Sequence, residues 1–157
     1  MAKGTRAIQV LEQSGAEYRI HEYVIEHDGA SYGEAVAMAL GVSPHRLFKT
    51  LVANVDGSPV VAIVPASGQL ALKKLARAAG GKHASMAEPA DAERLTGYVV
   101  GGISPLGQKR LMPTFVDSSV DDCETILVSA GRRGLQVELT PGDLIVLTKA
   151  AKVEISA

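Results

Sequence analysis

A chain of 157 residues that is 46% hydrophobic and 21% charged has the length and balance of one globular domain with a buried core. Only 4% of it is aromatic, with no tryptophan, so the core must rest on Val, Leu, Ile and Ala, and stacking platforms for single-stranded nucleic acid are scarce. A formal net charge of -1 leaves any nucleic-acid partner to a local basic face, and the single cysteine, Cys123, excludes an internal disulfide.

In chain order, Thr5 is placed to cap a first helix whose Ala7, Val10 and Leu11 share a face, and Ser14-Gly15 stops it. Residues 18–25 read as extended. Ser31 and Glu34 stand at capping-box spacing and open a helix through Leu40, ended by Gly41. Residues 48–55 form a β-rich run, Asp56-Gly57 is a hairpin signal, and residues 60–64 return as the partner strand. A helix over 70–79 places Leu72, Leu75, Ala76 and Ala79 on one face and ends at Gly80-Gly81. Pro89 suits the first turn of another helix, and Gly97 its end. A short strand over 98–100 leads into a Gly-Gly loop. Strands follow near 114–116, 125–128 and 135–139, Thr140-Pro141 starts a last helix, and residues 153–155 are extended.

Helices and strands do not alternate regularly, and hairpin signals recur. The pattern predicts an α+β fold, a mixed and mainly antiparallel sheet flanked by helices, in a single domain over 1–157. The apolar runs are too short for a membrane span, and residues 1–5 lead into an amphipathic segment without a signal-peptide core. The expectation is a cytoplasmic protein.

Several chemistries lack their residues. His21, His27, His45 and His83 show no paired metal spacing, so no metal site is expected. There is no G-x-S-x-G elbow and no G-x-G-x-x-G, and Gly102 to Lys109 lacks the Gly-Lys-Ser/Thr of a phosphate loop. Cys123 sits in Asp121-Asp122-Cys123-Glu124, where neighbouring carboxylates oppose a thiolate, so it reads as a turn cysteine without a role.

Two constellations remain. Lys49 interrupts an apolar strand, on the face of Leu51 and Ala53, with Phe48, Thr50 and Val52 opposite. Such a lysine either snorkels to water at a sheet edge or projects an ammonium into a pocket, where it binds a phosphate or stabilises an oxyanion. The second is the stretch from Gly97 through Gly101, Gly102, Ile103, Ser104 and Pro105 to Arg110. Paired glycines there serve either a tight turn or close backbone approach to a ligand.

The residues His21-Glu22-Tyr23, Ser31-Tyr32-Gly33-Glu34, Phe48-Lys49-Thr50-Leu51, Gly101-Gly102-Ile103-Ser104-Pro105-Leu106-Gly107-Gln108-Lys109, Ser129-Ala130-Gly131-Arg132-Arg133 and Thr140-Pro141-Gly142-Asp143 resemble the YbaK/EbsC family. That family is related to the editing domain of bacterial prolyl-tRNA synthetases. The glycine-rich string resembles the cysteine-directed branch more than the alanine-directed one. The resemblance implies a YbaK-like, partly barrel-like domain that removes cysteine from tRNA(Pro), with no cofactor and no nucleophile of its own. The resemblance also implies that the substrate's own thiol attacks its ester carbonyl, giving a strained thiolactone that later opens in water. It implies Lys49 near the terminal phosphate or the carbonyl, and Gly101 and Gly102 as backbone donors. By the same resemblance Tyr23, Tyr32 and Thr50 are expected to line the pocket with Ile103, Ser104 and Pro105, and Ser129 and Gly131 to form its far rim. Tyr32 stands where related proteins carry phenylalanine, which adds a hydroxyl. The implied partners are the tRNA(Pro) acceptor end carrying cysteine and, transiently, prolyl-tRNA synthetase.

Asp143 has two readings. Its spacing from Thr140 is that of a helix cap, and the family match places it with the substrate-binding residues. Lys73, Lys74, Arg77, Lys109, Arg110, Arg132 and Arg133 are either a tRNA-backbone face or an ordinary solvated surface. Two other functions fit the same residues: a non-catalytic module for a nucleotide or tRNA acceptor end, and a deacylase for another small aminoacyl-tRNA such as Ala-tRNA(Pro).

Overall fold

The computed structural model describes residues 4–25 and 32–157. The expected cap at Ser31, residues 1–3 and His27 lie outside them. Helix α1 (Arg6–Ser14) begins where Thr5 Oγ1 accepts the Ile8 N–H at 3.1 Å, and it ends on Gly15 in the left-handed region. Strand β1 (Arg19–Glu22) is shorter than the extended stretch expected around it. Helix α2 (Tyr32–Leu40) follows, then the hairpin of β2 (Phe48–Val55) and β3 (Ser58–Pro65). Its turn puts Asp56 and Gly57 at positive φ (49° and 87°), the backbone a two-residue hairpin loop demands.

Helix α3 (Leu72–Ala78) leads to β4 (Ala84–Met86), a strand too short and polar to announce itself in sequence. Helix α4 (Pro89–Thr96) has proline in its first turn and Gly97 at its left-handed end. Residues 98–100, expected as a strand, are instead a turn. The Val100 N–H is taken by the Glu93 carboxylate at 2.8 Å, and the Gly102 N–H by the Val99 carbonyl at 2.9 Å. Strands β5 (Thr114–Asp117), β6 (Ile126–Arg132) and β7 (Leu135–Leu139), helix α5 (Pro141–Thr148) and β8 (Ala151–Val153) complete the described chain.

The strands make two sheets, ordered β1-β7-β6 and β4-β2-β3-β5-β8. The first is antiparallel throughout; in the second, β3-β5 and β5-β8 run parallel. The fold is therefore α+β with mainly antiparallel pairing. A parallel bridge between Leu47 and Leu127 links the sheets, and among the described residues they do not close into a barrel. The main core lies between them: Phe48, Val61 and Ile63 meet Leu135, Val137 and Leu139 with Ala7, Ile8 and Leu11 of α1. A second cluster packs Ala53, Val55, Ala62 and Val64 against Leu75 and Ala76 of α3. These apolar faces, removed from water at roughly 25 cal/mol per Å², supply the main stabilisation.

At the join, Glu138 ties three elements. Its carboxylate accepts from Thr125 Oγ1 at 2.6 Å and Arg46 Nη2 at 2.9 Å, and lies 2.8 Å from His21 Nε2. Thr125, His21 and Arg46 together hold this carboxyl below the usual glutamate range, against the effect of burial. Arg46 immediately precedes Leu47, so this network fixes where β2 begins. Among the described residues no helix is long and apolar enough to cross a membrane.

Candidate functional site

Residues 48–55 pair with β3 along their whole length, but β4 covers only residues 53–55 of the opposite edge. On that edge the Arg46 carbonyl accepts from Leu127 and the Val52 carbonyl from Ala87. Between those two points no strand among the described residues pairs with β2. Backbone alternation turns the N–H and C=O of Thr50 toward this gap. A cavity of about 560 Å³ fills it, bounded by α2, β2, the start of α4, the Val100–Ile103 loop and the β6-β7 hairpin.

The structure brings Tyr32, Lys49, Thr50, Gly101, Ile103 and Ser129 around this one cavity. Apolar Val36, Leu47, Phe48 and Val52 make much of its wall. Lys49 is half-buried. Burial pushes its ammonium below the usual lysine range, while the Glu34 carboxylate pulls it back up. Lys49 is thus part of the cavity wall, in a partly desolvated setting.

Other expected residues stand behind the cavity. Tyr23 does not line it, but its hydroxyl lies 3.4 Å from that of Tyr32 and backs the Tyr32 ring. Gly102 is buried, its N–H is already bonded to Val99, and a Cβ there would lie 2.6 Å from the Arg132 Cα. Its role is close packing on the β6-β7 turn, and of the two glycines only Gly101 reaches the cavity. Ser104 and Pro105 are buried as well. The Ser104 hydroxyl accepts from the Leu106 N–H at 3.1 Å, which folds the loop back. The Tyr98 hydroxyl donates to the Leu106 carbonyl, and burial raises it to about 12. Gly131 sits at positive φ (107°) where a Cβ would meet Tyr98 and Thr5. Asp143 lies outside the cavity in the first turn of α5, its N–H bonded to Thr140 Oγ1 at 3.2 Å, which is the capping geometry.

Gln136 of the lining escaped sequence reasoning, and Arg133, read there only as part of a basic face or a solvated surface, lines the cavity as well. Arg133 has its guanidinium 5.3 Å from the centre of the Tyr32 ring, a cation–π distance. It also lies against Gly101, where a Cβ would come within 2.3 Å of its Nε. Gln136 is only 6% exposed, and its Oε1 has no hydrogen-bond partner among the described residues; Thr50 Oγ1, in a residue 8% exposed, is in the same condition. A buried polar atom left unpaired costs about 1–3 kcal/mol, so two in one cavity mark a place built for a polar ligand. The hint in sequence was a glutamine in an alternating strand, which by itself reads as solvent-facing.

Cys123 is away from this cavity, with Sγ 3.7 Å from the His45 carbonyl. Burial raises its thiol pKa, Asp122 adds to the rise and Arg46 opposes it. The direction is the one expected, though burial is the larger cause. Among the described residues no three His, Cys, Asp or Glu side chains gather as a metal site. Among the described residues the cavity therefore offers an ammonium, a guanidinium, neutral polar groups and backbone, with no side-chain nucleophile beyond hydroxyls. It suits binding and polarising an ester more than attacking one.

The family model described as the aminoacyl-tRNA editing domain matches residues 27–147. EbsC of Enterococcus faecalis, named for deacylation of Cys-tRNA(Pro) and Cys-tRNA(Cys), is 42% identical over 154 residues, 97% of this chain and 93% of that one. ProXp-y of Escherichia coli K12, named as a multifunctional Ser/Thr-tRNA deacylase, is 39% identical over 113 residues, 67% of this chain and 65% of that one. A solved structure described as a trans-editing enzyme for prolyl-tRNA synthetase shares the fold, with a TM-score of 0.86 at 23% identity over 100% of this chain and 99% of that one.

Proposed function

Because the chain belongs to the aminoacyl-tRNA editing domain family, we propose that it is a deacylase that clears mischarged aminoacyl-tRNA in trans, with Cys-tRNA(Pro) as its substrate. The single observation that carries this reading is the cavity at the open edge of β2, where half-buried Lys49 and two unpartnered polar side chains share an otherwise largely apolar wall.

In the proposed reaction the substrate's own thiol loses its proton, and its sulfur attacks the ester carbonyl carbon. The bond from that carbon to the ribose oxygen breaks, and the proton ends on this oxygen. The products are tRNA with a free hydroxyl and a cysteine thiolactone, which water then opens to cysteine. The protein supplies orientation and charge. Lys49 faces the carbonyl oxygen or the neighbouring phosphate and favours the negative charge that develops. Tyr32, braced by Tyr23, walls the small acyl group, and the Gly101–Ile103 loop closes the other side. Arg133 at the rim and exposed Lys109 and Arg110 offer cations to the acceptor-end phosphates. Delivery by prolyl-tRNA synthetase belongs to the same proposal.

A panel of charged tRNAs tests it: Cys-tRNA(Pro), Ala-tRNA(Pro), Ser-, Thr- and Pro-tRNA, each followed for amino-acid release by purified protein. Selective release of cysteine is expected. Equal release of serine and threonine would favour the reaction for which the Escherichia coli relative is named. Binding without any release would leave only a recognition module.

A further inference from the structure

Strand β7 alternates Leu135, Val137 and Leu139 into the main core, while Gln136 and Glu138 share the opposite face. Glu138 is engaged by Thr125, Arg46 and His21. Gln136 lies directly across from Ser129 in the β6-β7 pair and lines the cavity beside Val36 and Leu47. It is 94% buried by the complement of its 6% exposure, and its Oε1 finds no partner among the described residues. Thr50 Oγ1 enters the same cavity from the other sheet, equally unpartnered. The Ser129 hydroxyl oxygen already accepts the Gly131 N–H at 3.2 Å.

We propose that Gln136 is a specificity-determining residue whose Oε1, with Thr50 Oγ1, accepts hydrogen bonds from the α-amino group of the bound aminoacyl ester. This rests on the deacylase reading above. An acceptor end enters a pocket with its aminoacyl group foremost, so the most buried polar groups meet that group and not the ribose or base. The donor common to every aminoacyl ester is its α-amino nitrogen. Among the described residues no carboxylate lines the cavity, and Lys49 is cationic, so neutral acceptors are what this part of the wall has for that nitrogen. The arrangement recognises an amino acid as such and leaves discrimination among side chains to the apolar wall.

The test uses minihelices of the proline acceptor stem ending in non-hydrolysable 3′-amides, one carrying cysteine and the other 3-mercaptopropionate, which lacks the α-amino group. Wild-type protein is expected to bind the cysteinyl form about tenfold more tightly, the size of one hydrogen bond to a charged group. Gln136→Met should lose most of that preference, with Thr50 Oγ1 holding the remainder, and leave affinity for the mercaptopropionyl form unchanged. It should also melt at or above the wild-type temperature, because an unpartnered buried acceptor is removed. The proposal is overturned if Gln136→Met keeps the preference, weakens both ligands equally, or melts well below wild type. Turnover of Cys-tRNA(Pro) by the wild type is measured in parallel. Binding with the expected preference but without turnover would sink the deacylase reading alone, and failure to bind either minihelix would sink both.

Discussion

Replacing Lys49 by methionine removes the ammonium and keeps most of its stem against the wall of the cavity. A unit charge about 4 Å from a developing oxyanion is worth about 4 kcal/mol at an effective dielectric near 20. Because Lys49 is only half-buried, solvent screening takes part of that, and a rise of about 2–4 kcal/mol in the barrier is the expectation. Single-turnover deacylation of Cys-tRNA(Pro) should slow by about thirty-fold to a thousand-fold. Stability should hold, since burial disfavours the charged form of this lysine and the substitution removes that penalty. Lys49→Arg should rescue only in part, because a planar fork does not replace a compact point charge.

The pH dependence of the wild type carries the same signature. Activity that needs charged Lys49 must fall as pH rises through its folded pKa, which lies below the ordinary lysine value. Over that same window folding becomes more favourable, because the unfolded chain holds the proton longer. An alkaline limb that survives unchanged in Lys49→Met, or a folded variant that clears substrate at the wild-type rate, would refute the assignment.

Gly102→Ala should destabilise the fold by about 1–3 kcal/mol, read as a shift in denaturant midpoint, since its Cβ would lie within 2.6–2.8 Å of Arg132–Arg133 backbone that must shift to admit it. Cys123→Ser should deacylate at the wild-type rate, because the raised thiol lies outside the cavity; a folded but inactive variant would contradict the substrate-thiol route. Glu138→Gln should lower stability at neutral pH and bring it closer to wild type in acid. The native carboxyl is held below its ordinary value, so its contribution is full above that value and fades as pH falls through the folded one. Urea titrations at pH 7 and pH 3 check the convergence.

What the sequence disclosed follows the range of the interactions involved. Thr5, Thr140, Asp56-Gly57 and Gly97 act within a few residues of themselves, and each does in the structure what its local chemistry predicted. Lys49 was legible for the same reason, as a charge inside its own apolar strand. Tyr98-Val99-Val100 misled because its composition is β-like; Glu93, a turn away on α4, takes the Val100 N–H and curls the segment instead. Gln136 was invisible because Leu-Gln-Val-Glu-Leu is what a half-exposed strand looks like. It lines one cavity with Val36 and Leu47, which lie far from it in sequence and meet it only when the two sheets and α2 assemble. The glycine pair was legible as close approach, but what approaches Gly102 is the Arg132–Arg133 turn, distant in sequence.

The most direct test of the account blocks the attacking atom itself. Release from Cys-tRNA(Pro) is compared with release from the same tRNA carrying S-methylcysteine, at equal enzyme and pH. The account predicts rapid clearance of the first, with thiolactone trapped early in the reaction, and no enzyme-dependent clearance of the second. Equal clearance of both would show that water or a protein group attacks the ester, and would contradict catalysis by the substrate's thiol.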